Sequence, residues 1–144
     1  MSSAAPEDIH GALVQLVLKV PRTAATLGAV RALVDDALLL AGVTDACRGE
    51  LSVALTEACT NAIVHAHGGD RYAVAVTLAG GTCIIEVTDS GVGMDPAMAG
   101  RDPLAHNGGQ GLLLIRGCTD ALELRSVRPH GLAVRMSREL AYVA

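Results

Sequence analysis

The chain has 144 residues, a formal net charge of −4 and a hydrophobic fraction of 51%. That suffices for one domain with a real core. Its apolar content is Ala, Val, Leu and Ile, with no Phe, no Trp and two Tyr. This argues against a nucleic-acid binder that stacks bases on aromatic rings or grips phosphates with a basic run.

Cys47, Cys59, Cys83 and Cys118 form no C-x-x-C pair, and their spacing suggests neither a zinc site nor a disulfide scaffold. They read as free thiols in a reducing compartment. The N-terminus carries no basic region and no apolar signal segment, and the apolar stretches fall short of the ~20 residues of a membrane span. The expectation is a soluble cytoplasmic protein without membrane or direct nucleic-acid contact. Residues 1–10 are expected to be a disordered tail, and residues 11–144 one domain.

In chain order, residues 12–20 alternate as a strand ending at Pro21, with Val14, Leu16, Leu18 and Val20 on one face. Thr23 is a candidate cap for a helix in which Leu27, Val30, Val34, Ala37, Leu38 and Ala41 recur at helical spacing and Gly42 is the stop. Thr44 or Asp45 caps a second helix running to about Ala66, with Leu51, Leu55, Ala58, Ala62 and Ile63 inward. Residues 72–79 and 82–89 are strands joined at Gly80-Gly81, a hairpin signal. The second of them puts Cys83, Ile85, Val87 and Asp89 on one face.

From Ser90 to Gly109 the pattern stops, and so long a loop inside a domain is often functional. A short helix follows from Gly111, then a hairpin over 120–126 and 131–137. The order β-α-α-β-β-loop-α-β-β implies an antiparallel or mixed sheet with helices covering one face.

Three segments carry polar chemistry against this apolar background. Glu57 and Asn61 lie four apart on one helix face, which His65 continues. Such a pair is commonly a solvated face, but a carboxylate beside a carboxamide also suits Mg²⁺, and a carboxylate suits a general base. Asp89 ends a core-facing stripe, either to start a turn or to accept a hydrogen bond from an exocyclic amine such as that of adenine. Gly91 and Gly93 then allow close backbone approach. Gly108-Gly-Gln-Gly111 opens a helix, as a hinge or as an anion site of free amides. The joint order, mid-helix, strand end and loop-to-helix start, is more specific than any member. A Walker phosphate loop is absent, and no βαβ repeat supports a dinucleotide fold. A metal site on Cys59, His65 and His67 is a weaker reading.

Glu57-Ala-Cys-Thr-Asn61 resembles the N box, Asp89-Ser-Gly-Val-Gly93 the first glycine box, and Gly109-Gln-Gly111-Leu the second glycine box of the gyrase/heat-shock chaperone/histidine-kinase ATPase superfamily. Residues 50–65 are similar to the bacterial anti-sigma-factor serine kinases, and the resemblance covers about residues 12–140. It implies an α+β two-layer sandwich, with a mixed, mostly antiparallel sheet and helices on one face. It also implies a serine/threonine protein kinase using ATP and Mg²⁺, a sigma factor and an anti-sigma-factor antagonist as partners, and a homodimer. A nucleotide-gated anti-sigma binding module without transfer is the alternative.

By resemblance, Asn61 would be the Mg²⁺ ligand, Glu57 the general base and Asp89 the adenine acceptor. Gly91 and Gly93 would line the adenine pocket, and Gly109 and Gly111 would offer amides to the phosphates. Residues 94–108 would form a flexible lid from which Arg101 or His106 reaches the γ-phosphate. One position departs: Gly131 is followed by Leu132 and Ala133, where members often carry Gly-Thr and a hydroxyl that supports adenine binding.

Overall fold

A computed structural model describes residues 13–65, 69–89, 109–126 and 131–144. The expected tail, the loop after Asp89 with Gly91, Gly93, Arg101 and His106, and the turn around Arg128 lie outside the described residues. The elements are β1 (Val14–Pro21), α1 (Ala24–Leu40), α2 (Asp45–His65), β2 (Arg71–Ala79), β3 (Thr82–Asp89), α3 (Gly109–Cys118), β4 (Ala121–Ser126) and β5 (Leu132–Glu139). The strands form one sheet of order β1-β2-β3-β5-β4. All four pairings are antiparallel, so the described sheet is antiparallel rather than mixed.

The alternation read from the sequence sets which face is buried. Val74, Val76 and Leu78 of β2 and Cys83, Ile85 and Val87 of β3 are buried, and the residues between them are half-buried. A two-residue loop joins these strands. Gly80 and Gly81 both have positive φ, 58° and 80°, as a turn matching the strand twist requires. The helices cover the buried face. Val30, Val34 and Leu38 of α1 and Leu51, Ala54, Leu55, Ala58, Cys59 and Ala62 of α2 pack into the core with Ile85 and Met136. The opposite face carries an ion-pair ladder in which Glu86 meets Arg125 at 2.9 Å and Arg135 at 3.9 Å.

Helix ends follow local chemistry, with one departure. Thr23 stands at the N-cap of α1 in extended conformation, yet its side chain makes no capping bond. Instead Thr26 Oγ1 donates to the carbonyls of Thr23 (2.8 Å) and Pro21 (2.9 Å). At the other end, Gly42 N–H donates to Leu39 O and Val43 N–H to Leu38 O, the two bonds of a Schellman stop. Thr44 Oγ1 accepts from Cys47 N–H at 3.3 Å and caps α2.

Arg48 ties the two long helices. It pairs with Asp35 at 3.0 Å and Asp45 at 2.9 Å and donates to Val43 O at 2.9 Å. The chain end straps the same corner, with Val143 N–H on Gly42 O and Thr44 N–H on Ala141 O. Among the described residues no helix is long and apolar enough to cross a membrane.

Candidate functional site

Positions 57 and 61 project from the same side of α2, and position 59 lies about 200° around from either. The structure uses both sides. Cys59 is fully buried against the sheet, whereas Glu57 and Asn61 are half-buried on the other side. α3 packs on α2 there, and its first turn arrives as Gly111, which is buried.

A Cβ built on Gly111 would stand 2.9 Å from Glu57 Oε1, 3.7 Å from Asn61 Oδ1 and 3.8 Å from Asn61 Nδ2. The two polar side chains and the start of α3 thus meet, and the missing Cβ at Gly111 lets them approach this closely. A carboxylate and a carboxamide oxygen are hard donors of the kind Mg²⁺ takes, one or two at a time, beside phosphate oxygens. Free amides in the first turn of α3 suit an anion. The residues present therefore fit a magnesium–phosphate group. Among the described residues no group of three or more His, Cys, Asp or Glu gathers for a metal, and a site of this kind needs none.

Asp89 ends β3, the central strand, on the helix-covered face. It is 7% exposed, the one charged side chain buried among the described residues. Its cross-strand partner is Tyr72. Gly109, like Gly111, lies in the first turn of α3, and Leu132 and Ala133 open β5. No hydroxyl stands at either β5 position, and Leu132 packs against the core.

Two features were missed by sequence reasoning. The first is a partly buried polar chain that joins α1, β2 and α2 through Thr26, Tyr72 and Cys59. Tyr72 hydroxyl and Thr26 Oγ1 share a hydrogen bond of 3.2 Å. Cys59 meets the same phenol, and burial pushes its thiol up to about 12 although that hydrogen bond opposes the shift. Burial also raises the phenol of Tyr72, against its bond to Thr26. Cys59 is fully buried in the core, on the side of α2 away from Glu57 and Asn61. His67 and the side chain of His65 lie outside the described residues.

The second is Arg22, whose guanidinium donates to Ile63 O at 3.0 Å and to Gly69 O. It caps the carboxyl end of α2 two residues beyond Asn61. A lone Arg after Pro21 gives no local signal of this; Tyr72 gave a faint one, as one of two aromatic residues in the chain.

Comparison with known proteins agrees with this fold. The chain is 30% identical over 101 residues to the anti-sigma F factor of Pasteuria penetrans, covering 63% of this chain and 67% of that one. Its fold is similar to the crystal structure of the RsbU and RsbW domains of Rv1364c from Mycobacterium tuberculosis, with a TM-score of 0.72 at 20% identity. That match covers 91% of this chain but 34% of the other, and at this identity it speaks for the fold alone. Residues 20–138 match the family model of the histidine kinase-like ATPase domain. The chain belongs to the histidine kinase-like ATPase domain family, and this membership implies an ATP site.

Proposed function

We propose that the chain is an ATP-dependent serine/threonine protein kinase that phosphorylates an anti-sigma-factor antagonist and holds a sigma factor by sequestration. The observation that carries the reading is the meeting of Glu57, Asn61 and Gly111. The anti-sigma F factor relative supports the choice of partners. In this reading Asp89 accepts the amino hydrogen of adenine. Gly91 and Gly93 line the base, and Gly109 and Gly111 give amides to the phosphates. Arg101 or His106 reaches the γ-phosphate from the loop after Asp89.

Glu57 takes the proton of the acceptor hydroxyl as its oxygen bonds to the γ-phosphorus and the bond to the β-phosphate oxygen breaks, releasing ADP. Asn61, with Glu57 nearby, would hold Mg²⁺, which supplies charge neutralisation at the phosphates. Such a protein works beside the transcription machinery, in the cytoplasm. A homodimer is part of the proposal: β1 is an edge strand with Val17 exposed, Leu13 just before it is exposed too, and α1 exposes Leu33, Leu39 and Leu40.

Calorimetric titration of Mg-ATP into wild type and Asp89→Asn, followed by transfer of labelled phosphate to a purified antagonist, tests the reading. Binding in the wild type, weakened in Asp89→Asn, with transfer lost in Glu57→Ala, is the expected result. Transfer retained in Glu57→Ala removes Glu57 as the base. One observation favours the alternative, a nucleotide-gated binding module without transfer: Leu132 and Ala133 bring no hydroxyl to the start of β5. Mg-ATP binding without transfer to any antagonist would establish it.

A further inference from the structure

We infer that Tyr72 is the positioning residue of the base site: its ring stands beside Asp89 and keeps the carboxylate aimed at a base that donates a hydrogen. The inference rests on the nucleotide reading and names what sets the base preference of that same site.

The strand register carries it. Tyr72 and Asp89 are directly opposite in the β2–β3 pair, and both side chains are buried on the helix-covered face. Side chains so placed have Cβ atoms about 4.5–5.5 Å apart, within reach of each other for a ring and a carboxylate. The pairing of β3 with β5 ends one residue earlier, at Thr88 and Ala133. Tyr72 is therefore the one strand residue paired with Asp89 among those described.

The Tyr72 side chain is held at both ends. Its backbone is paired to Val20 of β1 as well as to Asp89, and Arg22 N–H donates to Asp70 O two residues before it. At the far end the hydroxyl shares hydrogen bonds with Thr26 of α1, at 3.2 Å, and with Cys59 of α2. The ring thus spans from the sheet to both long helices, and close packing makes it a stiff wall on one side of Asp89.

A carboxylate selects among bases only if it is aimed. Ionised, it is an acceptor alone, so it takes a hydrogen from the 6-amino group of adenine and repels the 6-oxygen of hypoxanthine or guanine. That discrimination shrinks when the group can turn away and let water between. Tyr72 meets α2 through Cys59, on the side away from Glu57 and Asn61. Its influence therefore falls on the base and not on the phosphates or the metal.

Calorimetry on wild type, Tyr72→Leu and Tyr72→Phe tests this with three magnesium-loaded probes. These are ATP, inosine triphosphate (oxygen in place of the 6-amino group) and tripolyphosphate. Tyr72→Leu should lower the preference for ATP over inosine triphosphate by about tenfold, with tripolyphosphate affinity unchanged. Tyr72→Phe keeps the wall and loses only the hydroxyl, so it should restore most of the preference. An unchanged preference in Tyr72→Leu overturns the inference. So does a parallel loss for all three probes, which marks a purely structural role.

A second measurement needs no substitution at Tyr72. The chain has two tyrosines, so Tyr142→Phe leaves Tyr72 as the sole one. Its ring NMR signals should shift with Mg-ATP and stay in place with magnesium tripolyphosphate. Equal shifts with both, or none with Mg-ATP, overturn the inference even where Tyr72→Leu does not fold. If wild type binds Mg-ATP and prefers it to inosine triphosphate in these cases, only the role of Tyr72 falls. If well-folded wild type binds no Mg-ATP, or binds it without that preference, the adenine reading of Asp89 falls as well.

Discussion

Glu57 Oε1 and Gly111 are in such close contact that a single added methyl group would lie 2.9 Å from the carboxylate oxygen. The obstacle is the far end of a flexible side chain, not backbone. Gly111→Ala should therefore fold, and the gain in helix propensity, about 0.5–1 kcal/mol, offsets much of the crowding. Displacing Glu57 by an ångström from the acceptor hydroxyl should still lower phosphoryl transfer by about 100-fold. Urea unfolding and a transfer assay on the same preparation check both halves. A variant with unchanged transfer would mean that the contact has no bearing on the chemistry.

Two thiols make the protein sensitive to alkali. Burial pushes Cys59 up to about 12, against its hydrogen bond to Tyr72, and pushes Cys83 up to about 12 with help from neighbouring Cys47. Both values exceed the ordinary 9.0. The folded state then holds these protons more tightly than the unfolded chain does. The stabilisation is complete below pH 9 and is lost as pH rises from there toward 12. Each thiol contributes a slope of up to about 1.4 kcal/mol per pH unit in that window. Tyr72, raised by burial, acts in the same direction at higher pH. Urea midpoints measured from pH 7 to 11 should fall above pH 9, and less steeply in Cys59→Ala/Cys83→Ala. The same slope in wild type and the double variant would refute the assignment.

Much of this architecture was legible because its causes are local. The stripe of Cys83, Ile85, Val87 and Asp89 fixes which face of β3 is buried, and Gly80-Gly81 fixes its hairpin with β2. The Glu57–Asn61 spacing fixes a shared helix face, and the structure brings Gly111 to it. Thr23 takes the expected N-cap position in extended conformation, but its hydroxyl makes no capping bond, while the Thr26 hydroxyl donates to the Thr23 carbonyl. What stayed hidden depends on long-range meetings. Arg22 reaches a carbonyl 41 positions away and Thr26 a phenol 46 positions away, so neither leaves a periodic trace. The readings of Gly91, Gly93, Arg101 and His106 rest on resemblance, as these lie outside the described residues.

Gly49 offers a control that should leave the site alone. It is exposed inside α2, and a Cβ there would meet nothing within 4 Å. Glycine in a helix interior costs about 0.5–1 kcal/mol relative to alanine. Gly49→Ala should raise stability by that amount, a few degrees in melting temperature, with Mg-ATP affinity unchanged. A drop in melting temperature would show that the backbone at Gly49 departs from helical geometry in solution.

Arg22 joins the strand–helix corner to the end of the helix that carries Asn61. Its guanidinium donates to Ile63 O and Gly69 O, while its own N–H donates to Asp70 O at 2.9 Å. Arg22→Met keeps much of the apolar stem and leaves two carbonyls without these donors. Charge-assisted hydrogen bonds of this kind are worth about 1.5–3 kcal/mol each before water replaces them, so a loss of about 2 kcal/mol is expected. Arg22→Lys should recover less than half of it, because one ammonium lacks the planar fork that spans two acceptors. Amide exchange in the last turn of α2 should quicken more than exchange in the middle of β3, since the lost bonds act at that helix end. Uniform acceleration across the chain would instead assign Arg22 to global stability, and unchanged exchange would mean that water replaces it without cost.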